Sequence, residues 1–184
     1  LTESWSGSSW TEVADLNTAR RTLGGAGASN TAAVAMGGWG PTLYANTESW
    51  NGSAWTEVSD LNNARVKTQN SGTGTSTSAL YAGGADGGSY TTVQAYTEQW
   101  NGSSWTEVGD LNTARFGLAL TGADNEACLA FGGYSPPGYK AINESWNGSS
   151  WTEVADLNAA RSSAGNAGPS TSALCIGGAN PPSA

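Results

Sequence analysis

Four arginines share one setting: Arg20, Arg65, Arg115 and Arg161 each close a run of the form Asp-Leu-Asn-x-Ala-Arg. A guanidinium stays charged at any physiological pH and forks onto carboxylates and other oxyanions. Two chemistries follow: internal pairing with carboxylates, or a ring of anion-binding groups around one mouth of a channel. The carboxylates recur in step. Glu3, Glu48, Glu98 and Glu144 precede the arginines, followed by Glu12, Glu57, Glu107 and Glu153, then Asp15, Asp60, Asp110 and Asp156. Twelve of the fifteen acids therefore belong to one pattern, and the arginine partners are expected in the Glu3 or Glu12 series. Paired-carboxylate glycoside hydrolysis needs two acids in different environments. A four-fold set does not supply such a pair, and only Asp86, Asp124 and Glu126 fall outside it. The chain has no histidine, which removes His-based triads and His metal sites. Cys128 and Cys175 form no CxxC and are expected to be buried free thiols acting as small hydrophobes. No P-loop or dinucleotide fingerprint is present. The expectation is a protein that is not an enzyme, with no cofactor and no metal.

The elements that position these residues repeat as well. Trp5, Trp50, Trp100 and Trp146 lie 45, 50 and 46 residues apart, and Trp10, Trp55, Trp105 and Trp151 each follow five residues later. A period in this range marks an array of one supersecondary unit that cannot bury its apolar faces alone. Within a unit, two short β-prone runs flank Asn51-Gly52, Asn101-Gly102 or Asn147-Gly148, a hairpin signal, with Ser6-Gly7 in the first copy. These Asn-x-Ser sites also match the glycosylation pattern, but turn chemistry explains the glycine too. A further apolar run ends at Gly37-Gly38, Gly83-Gly84, Gly132-Gly133 or Gly177-Gly178, as a strand that turns sharply would. A stretch of small residues precedes that run, as in Gly24-Gly25-Ala26-Gly27, and suits a place where sheets converge. Each unit thus reads as four strands: A (small residues), B (ending in Gly-Gly), C (Glu-x-Trp) and D (Trp-Thr-Glu).

This constellation resembles the kelch repeat: an acid two before an aromatic, a Trp, an apolar residue six later, an Arg four after that, and a closing Gly-Gly. Trp10-Leu16-Arg20, Trp55-Leu61-Arg65, Trp105-Leu111-Arg115 and Trp151-Leu157-Arg161 keep that spacing over essentially the whole chain. Two features depart from the family. The aromatic is Trp rather than Tyr, and the gap to the second Trp is about a residue short. The resemblance implies an all-β propeller of four-stranded antiparallel blades. The chain begins in phase with strand C and ends after strand B. The expectation is one domain over 1–184, with blades at about 20–61, 65–111 and 115–157. A fourth blade would be stitched from 161–178 and 2–16. The alternative is that two chains combine into a larger ring. In the family this Arg mostly packs and pairs with carboxylates between blades.

The net charge of −8 argues against nucleic acid, and no apolar run is long enough for membrane insertion. An alternating blade puts the B–C and D–A connections on one face. The B–C loops differ between copies and carry Trp39, Tyr44, Asp86, Tyr90, Tyr134 and Tyr139. Exposed rings beside polar residues suit a sugar face or a protein hot spot. The expected function is a binding module for a protein or glycan on that face. The other reading is a structural display domain of an extracellular or virion protein, or an engineered scaffold. A monomer is expected, with a homodimer as the alternative.

Overall fold

The computed structural model describes residues 1–66, 72–87 and 92–180, and all regular structure among them is β. The chain opens with a hairpin of β1 (Thr2–Trp5) and β2 (Trp10–Val13). A four-stranded antiparallel sheet follows, in the order β3 (Gly24–Ser29), β4 (Ala32–Met36), β5 (Thr47–Trp50), β6 (Trp55–Val58). The second sheet holds β7 (Gly72–Gly74) and β8 (Ala79–Ala82). A small hairpin of β9 (Ala85–Asp86) and β10 (Thr92–Val93) intervenes. The second sheet is then completed by β11 (Thr97–Trp100) and β12 (Trp105–Glu107). The third sheet contains β13 (Ala119–Gly122) and β14 (Cys128–Phe131), then the small hairpin β15 (Tyr134–Ser135) and β16 (Gly138–Tyr139). It ends with β17 (Asn143–Trp146) and β18 (Trp151–Val154). A last hairpin pairs β19 (Gly165–Ala167) with β20 (Leu174–Ile176). Three four-stranded antiparallel sheets thus occupy 24–58, 72–107 and 119–154, each running from the small-residue strand through the Gly-Gly and Glu-x-Trp strands to the Trp-Thr-Glu strand.

Local chemistry explains each unit. The C–D turn is held by the asparagine side chain: Asn51 Oδ1 accepts from the Ser53 N–H, the Ser53 hydroxyl and the Ala54 N–H, each at 2.9 Å. Only the glycine takes positive φ (Gly52, +95°), so Asn contributes a side-chain acceptor rather than left-handed backbone. This turn sets the two tryptophans opposite each other, as Trp50↔Trp55, Trp100↔Trp105 and Trp146↔Trp151, with ring centroids 5.2–5.3 Å apart. At the end of strand B both glycines are left-handed, for example Gly83 at +71° and Gly84 at +120°. A Cβ on Gly83 would lie 2.6 Å from the Arg115 carbonyl oxygen. The next sheet packs where a side chain would stand.

The small-residue strands lie innermost. A Cβ on Gly72 would lie 2.8 Å from the Gly25 carbonyl, so β3 and β7 touch backbone to backbone. The Thr73 hydroxyl donates to Gly122 O at 2.8 Å, joining β7 to β13, and the Thr121 hydroxyl donates to Gly168 O, joining β13 to the end of β19. Apolar cores fill the spaces between sheets. Val34, Met36, Leu61, Tyr81, Trp100 and Trp105 lie between the first and second. Leu80, Leu118, Leu120, Ala130, Trp146 and Trp151 lie between the second and third. Each complete sheet is thus covered on its faces by its neighbours, which explains why β8 is buried at every position.

The fourth sheet differs from expectation. β1 pairs only with β2, and β20 only with β19; the two hairpins do not join. Each is locked to its own neighbouring sheet by the contacts that recur inside the array. Trp5 and Trp10 are 44% and 64% exposed, and Leu174 and Ile176 are 64% and 55% exposed, where their equivalents Trp100 and Leu80 are at most 1% exposed.

Candidate functional site

The repeated charges are spent inside the scaffold. Arg65 Nη1 donates to Glu98 Oε1 at 2.6 Å, and both side chains are fully buried. Glu98 Oε2 accepts from the Asn62 N–H and side-chain amide at 2.7 and 2.8 Å. Arg65 Nη2 donates to Tyr81 O at 3.2 Å, and its guanidinium sits 4.5 Å over the Tyr81 ring. Arg20 with Glu48 and Arg115 with Glu144 repeat the pair, supported by Asn17 and Asn112. The partners are therefore the Glu3 series, on strand C. A ring of open guanidiniums at a channel mouth is not what the structure presents at these three positions, because the side chains are buried and committed. Burial opposes ionisation of Glu48. The Asn17 N–H, the Arg20 side chain and the Thr18 N–H outweigh it and hold the carboxyl below its usual range. Burial lowers the pKa of Arg115, and Glu144 works against that shift.

A second tie runs from sheet to sheet. The indole N–H of each strand-D tryptophan donates to the strand-C threonine of the preceding unit: Trp55 to Thr2 (3.3 Å), Trp105 to Thr47 (2.9 Å) and Trp151 to Thr97 (3.0 Å). Sequence reasoning missed this tie. Its signal was present in the Thr that precedes each Glu-x-Trp, and in the substitution of Asn143 at that place.

The B–C loops stand beside the D–A connectors, as alternation of strand direction requires. Backbone bridges join Arg21 to Trp39, Val66 to Ala85, Phe116 to Tyr134 and Ser162 to Ala179. Trp39 and Tyr44 are half-buried in the first loop, where a Cβ on Gly40 would meet the Tyr44 ring at 2.6 Å. Asp86 is exposed at the base of the second loop, and Tyr90 lies outside the described residues. Tyr134 packs on Phe116 (5.3 Å between ring centroids) and meets Tyr139 edge-on at 5.5 Å. Among the described residues, Trp39 with Tyr44, Asp86, and Tyr134 with Tyr139 thus sit in separate clusters, each beside its own connector.

A cavity of about 740 Å³ lies along the innermost strands and reaches the β1–β2 hairpin at Thr2 and Leu16. Its walls are uncharged and mostly small, such as Ala26, Thr73 and Thr121, with Trp55 and Leu120 also lining it. Cys128 is buried, donates to Asp124 O at 3.1 Å, and has its thiol pKa pushed up to about 12, chiefly by burial. Cys175 is half-buried rather than buried, because it sits on β20, which is paired only with β19. Among the described residues no cluster of three metal-ligating side chains occurs. No helix among them is long and apolar enough to cross a membrane. No protein-family model and no curated protein matches the chain.

Proposed function

We propose that this chain is a kelch-type propeller array and works as a non-enzymatic binding module through the B–C loop face. The observation that carries the reading is a division of labour. The residues that repeat are consumed by internal packing, as in the buried Arg65–Glu98 pair, whereas the half-exposed Trp39, Tyr44, Tyr134 and Tyr139 sit in loops that differ between copies. Half-exposed rings supply large, stiff contact area with a polar tip. Tyr139, held edge-on to Tyr134 and next to Lys140, offers such a platform for a protein or glycan surface. Tyr134 itself has a packing role through Phe116.

The test is a glycan array and a pull-down with the intact chain, followed by Trp39→Ala and Tyr139→Ala. Retained thermal stability with at least about tenfold weaker binding supports the loop face, since a hot-spot ring contributes on the order of 2 kcal/mol. Binding that survives both substitutions refutes it.

A further inference from the structure

We propose that Asn51, Asn101 and Asn147 are sites of spontaneous deamidation that the folded C–D turn holds shut and that unfolding opens. Each asparagine is exposed and precedes a glycine, which has no Cβ to hinder approach to its main-chain nitrogen. In the reaction the Gly52 nitrogen attacks Asn51 Cγ. A nitrogen–carbon bond forms, the bond from Cγ to Nδ2 breaks, and ammonia leaves with the proton shed by the glycine nitrogen. The cyclic imide then takes up one water and opens at either carbonyl, giving aspartate or isoaspartate. Nothing is oxidised or reduced, and water is the sole co-reactant.

The gate is the set of contacts that shapes the turn. Ring closure requires Cγ to come within attacking distance of the glycine nitrogen, in the right orientation. The folded turn commits the side chain to other partners. Asn51 Oδ1 is held toward residues 53 and 54 by the Ser53 N–H, the Ser53 hydroxyl and the Ala54 N–H, each at 2.9 Å. Asn101 Oδ1 has the same three donors from Ser103 and Ser104, each at 2.9 Å. Asn147 Oδ1 has them from Ser149 and Ser150 at 3.0 Å, with the Ser150 hydroxyl as a fourth at 3.5 Å. The Asn51 N–H also donates to Ala54 O at 3.3 Å, which fixes the same residues through the main chain. Giving up even part of this hold slows ring closure by at least about tenfold. The unfolded chain has no such hold to give up.

The first copy has the same turn without the reactive amide. Ser6 precedes Gly7, Ser6 Oγ accepts from the Ser9 N–H at 3.2 Å, and Gly7 takes the same φ of +95° as Gly52. A hydroxyl thus suffices for the turn. The amide nitrogen contributes little: among the described residues, only Asn101 Nδ2 of the three has a partner, Ser104 Oγ at 3.3 Å. Aspartate keeps the acceptor oxygen and is tolerated. Isoaspartate is not, because it routes the main chain through the side-chain carbon. That lengthens the turn that sets Trp50 opposite Trp55 and Trp100 opposite Trp105. At the third turn the new charge also arises beside Glu126, whose Oε2 lies 2.8 Å from the place of a Cβ on Gly148; Thr31 and Thr77 stand there in the other two. For a modified chain, unfolding therefore becomes a one-way step.

The test follows each asparagine by peptide mapping of the intact chain, held at neutral pH either folded in buffer or unfolded in guanidinium. Amide-to-acid conversion is read from mass, and isoaspartate from chromatographic retention. All three sites are expected to convert at least about tenfold more slowly in the folded chain. After dilution from guanidinium, the fraction that fails to regain the native melting transition is expected to match the fraction carrying isoaspartate. A chain with Asn51→Ser, Asn101→Ser and Asn147→Ser, which borrows the first-copy turn, should refold fully after the same treatment. Equal conversion rates in the folded and unfolded chain overturn the proposal, and that comparison needs no variant. So does an isoaspartate-bearing chain that refolds with an unchanged melting temperature, or a serine variant that loses refolding as fast as the unaltered chain.

Discussion

Replacing Glu98 by Gln leaves the Arg65 guanidinium charged in a fully buried site. Its remaining contacts would be neutral acceptors such as Tyr81 O at 3.2 Å and Asn63 O at 3.4 Å. Removing one partner of a buried pair costs about 3–5 kcal/mol, because the uncompensated charge stays desolvated. For a domain of this size each kcal/mol moves the melting temperature by roughly 2–4 °C, so a fall of about 6–20 °C is expected. Glu48→Gln and Glu144→Gln should behave alike, since both carboxylates sit in the same arrangement of Arg and Asn donors. Glu3→Gln supplies the internal comparison: its carboxylate is exposed, and the change should stay within about 0.5 kcal/mol. The assay is differential scanning calorimetry with chemical denaturation, and an Arg65→Met/Glu98→Leu cycle measures the coupling. A Glu98→Gln loss below about 1 kcal/mol, or one equal to that of Glu3→Gln, would refute the claim that the repeated acids are packing groups.

Further outcomes follow from the same contacts. Glu48 has a folded pKa below its usual 4.5, so its contribution is complete above that value and is lost as pH falls through the lowered one. A thermal-melt series from neutral to acid should therefore be flat until the ordinary carboxylate range and then drop; a drop already at pH 6 would contradict it. Gly83→Ala meets Leu118 at 2.4 Å and the Arg115 carbonyl at 2.6 Å with φ at +71°, and should cost more than about 1 kcal/mol by urea titration. Gly177→Ala shares the left-handed backbone (φ +64°) but meets nothing within 4 Å, so it should cost less than Gly83→Ala by the steric part. Cys128, buried with its thiol pushed up to about 12, should resist iodoacetamide in the native state, whereas half-buried Cys175 should react; equal rates at both would count against the burial described.

The strands and their order were legible because the determinants are local. Asn-Gly turns, paired tryptophans and left-handed Gly-Gly ends recur at fixed offsets, and each acts within a few residues. The arginine partners were legible only as a choice between two glutamate series. Spacing along a strand cannot say which carboxylate faces across to the next connector; the register of strand C on strand B decides for Glu48, Glu98 and Glu144. The Trp-to-Thr ties span more than fifty residues, as with Trp105 and Thr47, so nothing local announces them. The fate of the fourth unit was hidden for a related reason. Pairing between β1–β2 and β19–β20 is a contact between distant segments, and close approaches such as Gly72 on the Gly25 carbonyl are not displayed by a sequence. Among the described residues the loop aromatics sit in separate clusters, because each loop folds back on its own connector.

The most direct measurement compares loop and frame substitutions in one binding and melting experiment. Trp39→Ala and Tyr139→Ala should weaken ligand capture at least about tenfold with the melting temperature nearly unchanged, whereas Glu98→Gln should lower the melting temperature through the buried Arg65 pair. Loop substitutions that leave capture intact, or a Glu98→Gln chain that melts like the unaltered one, would contradict the account.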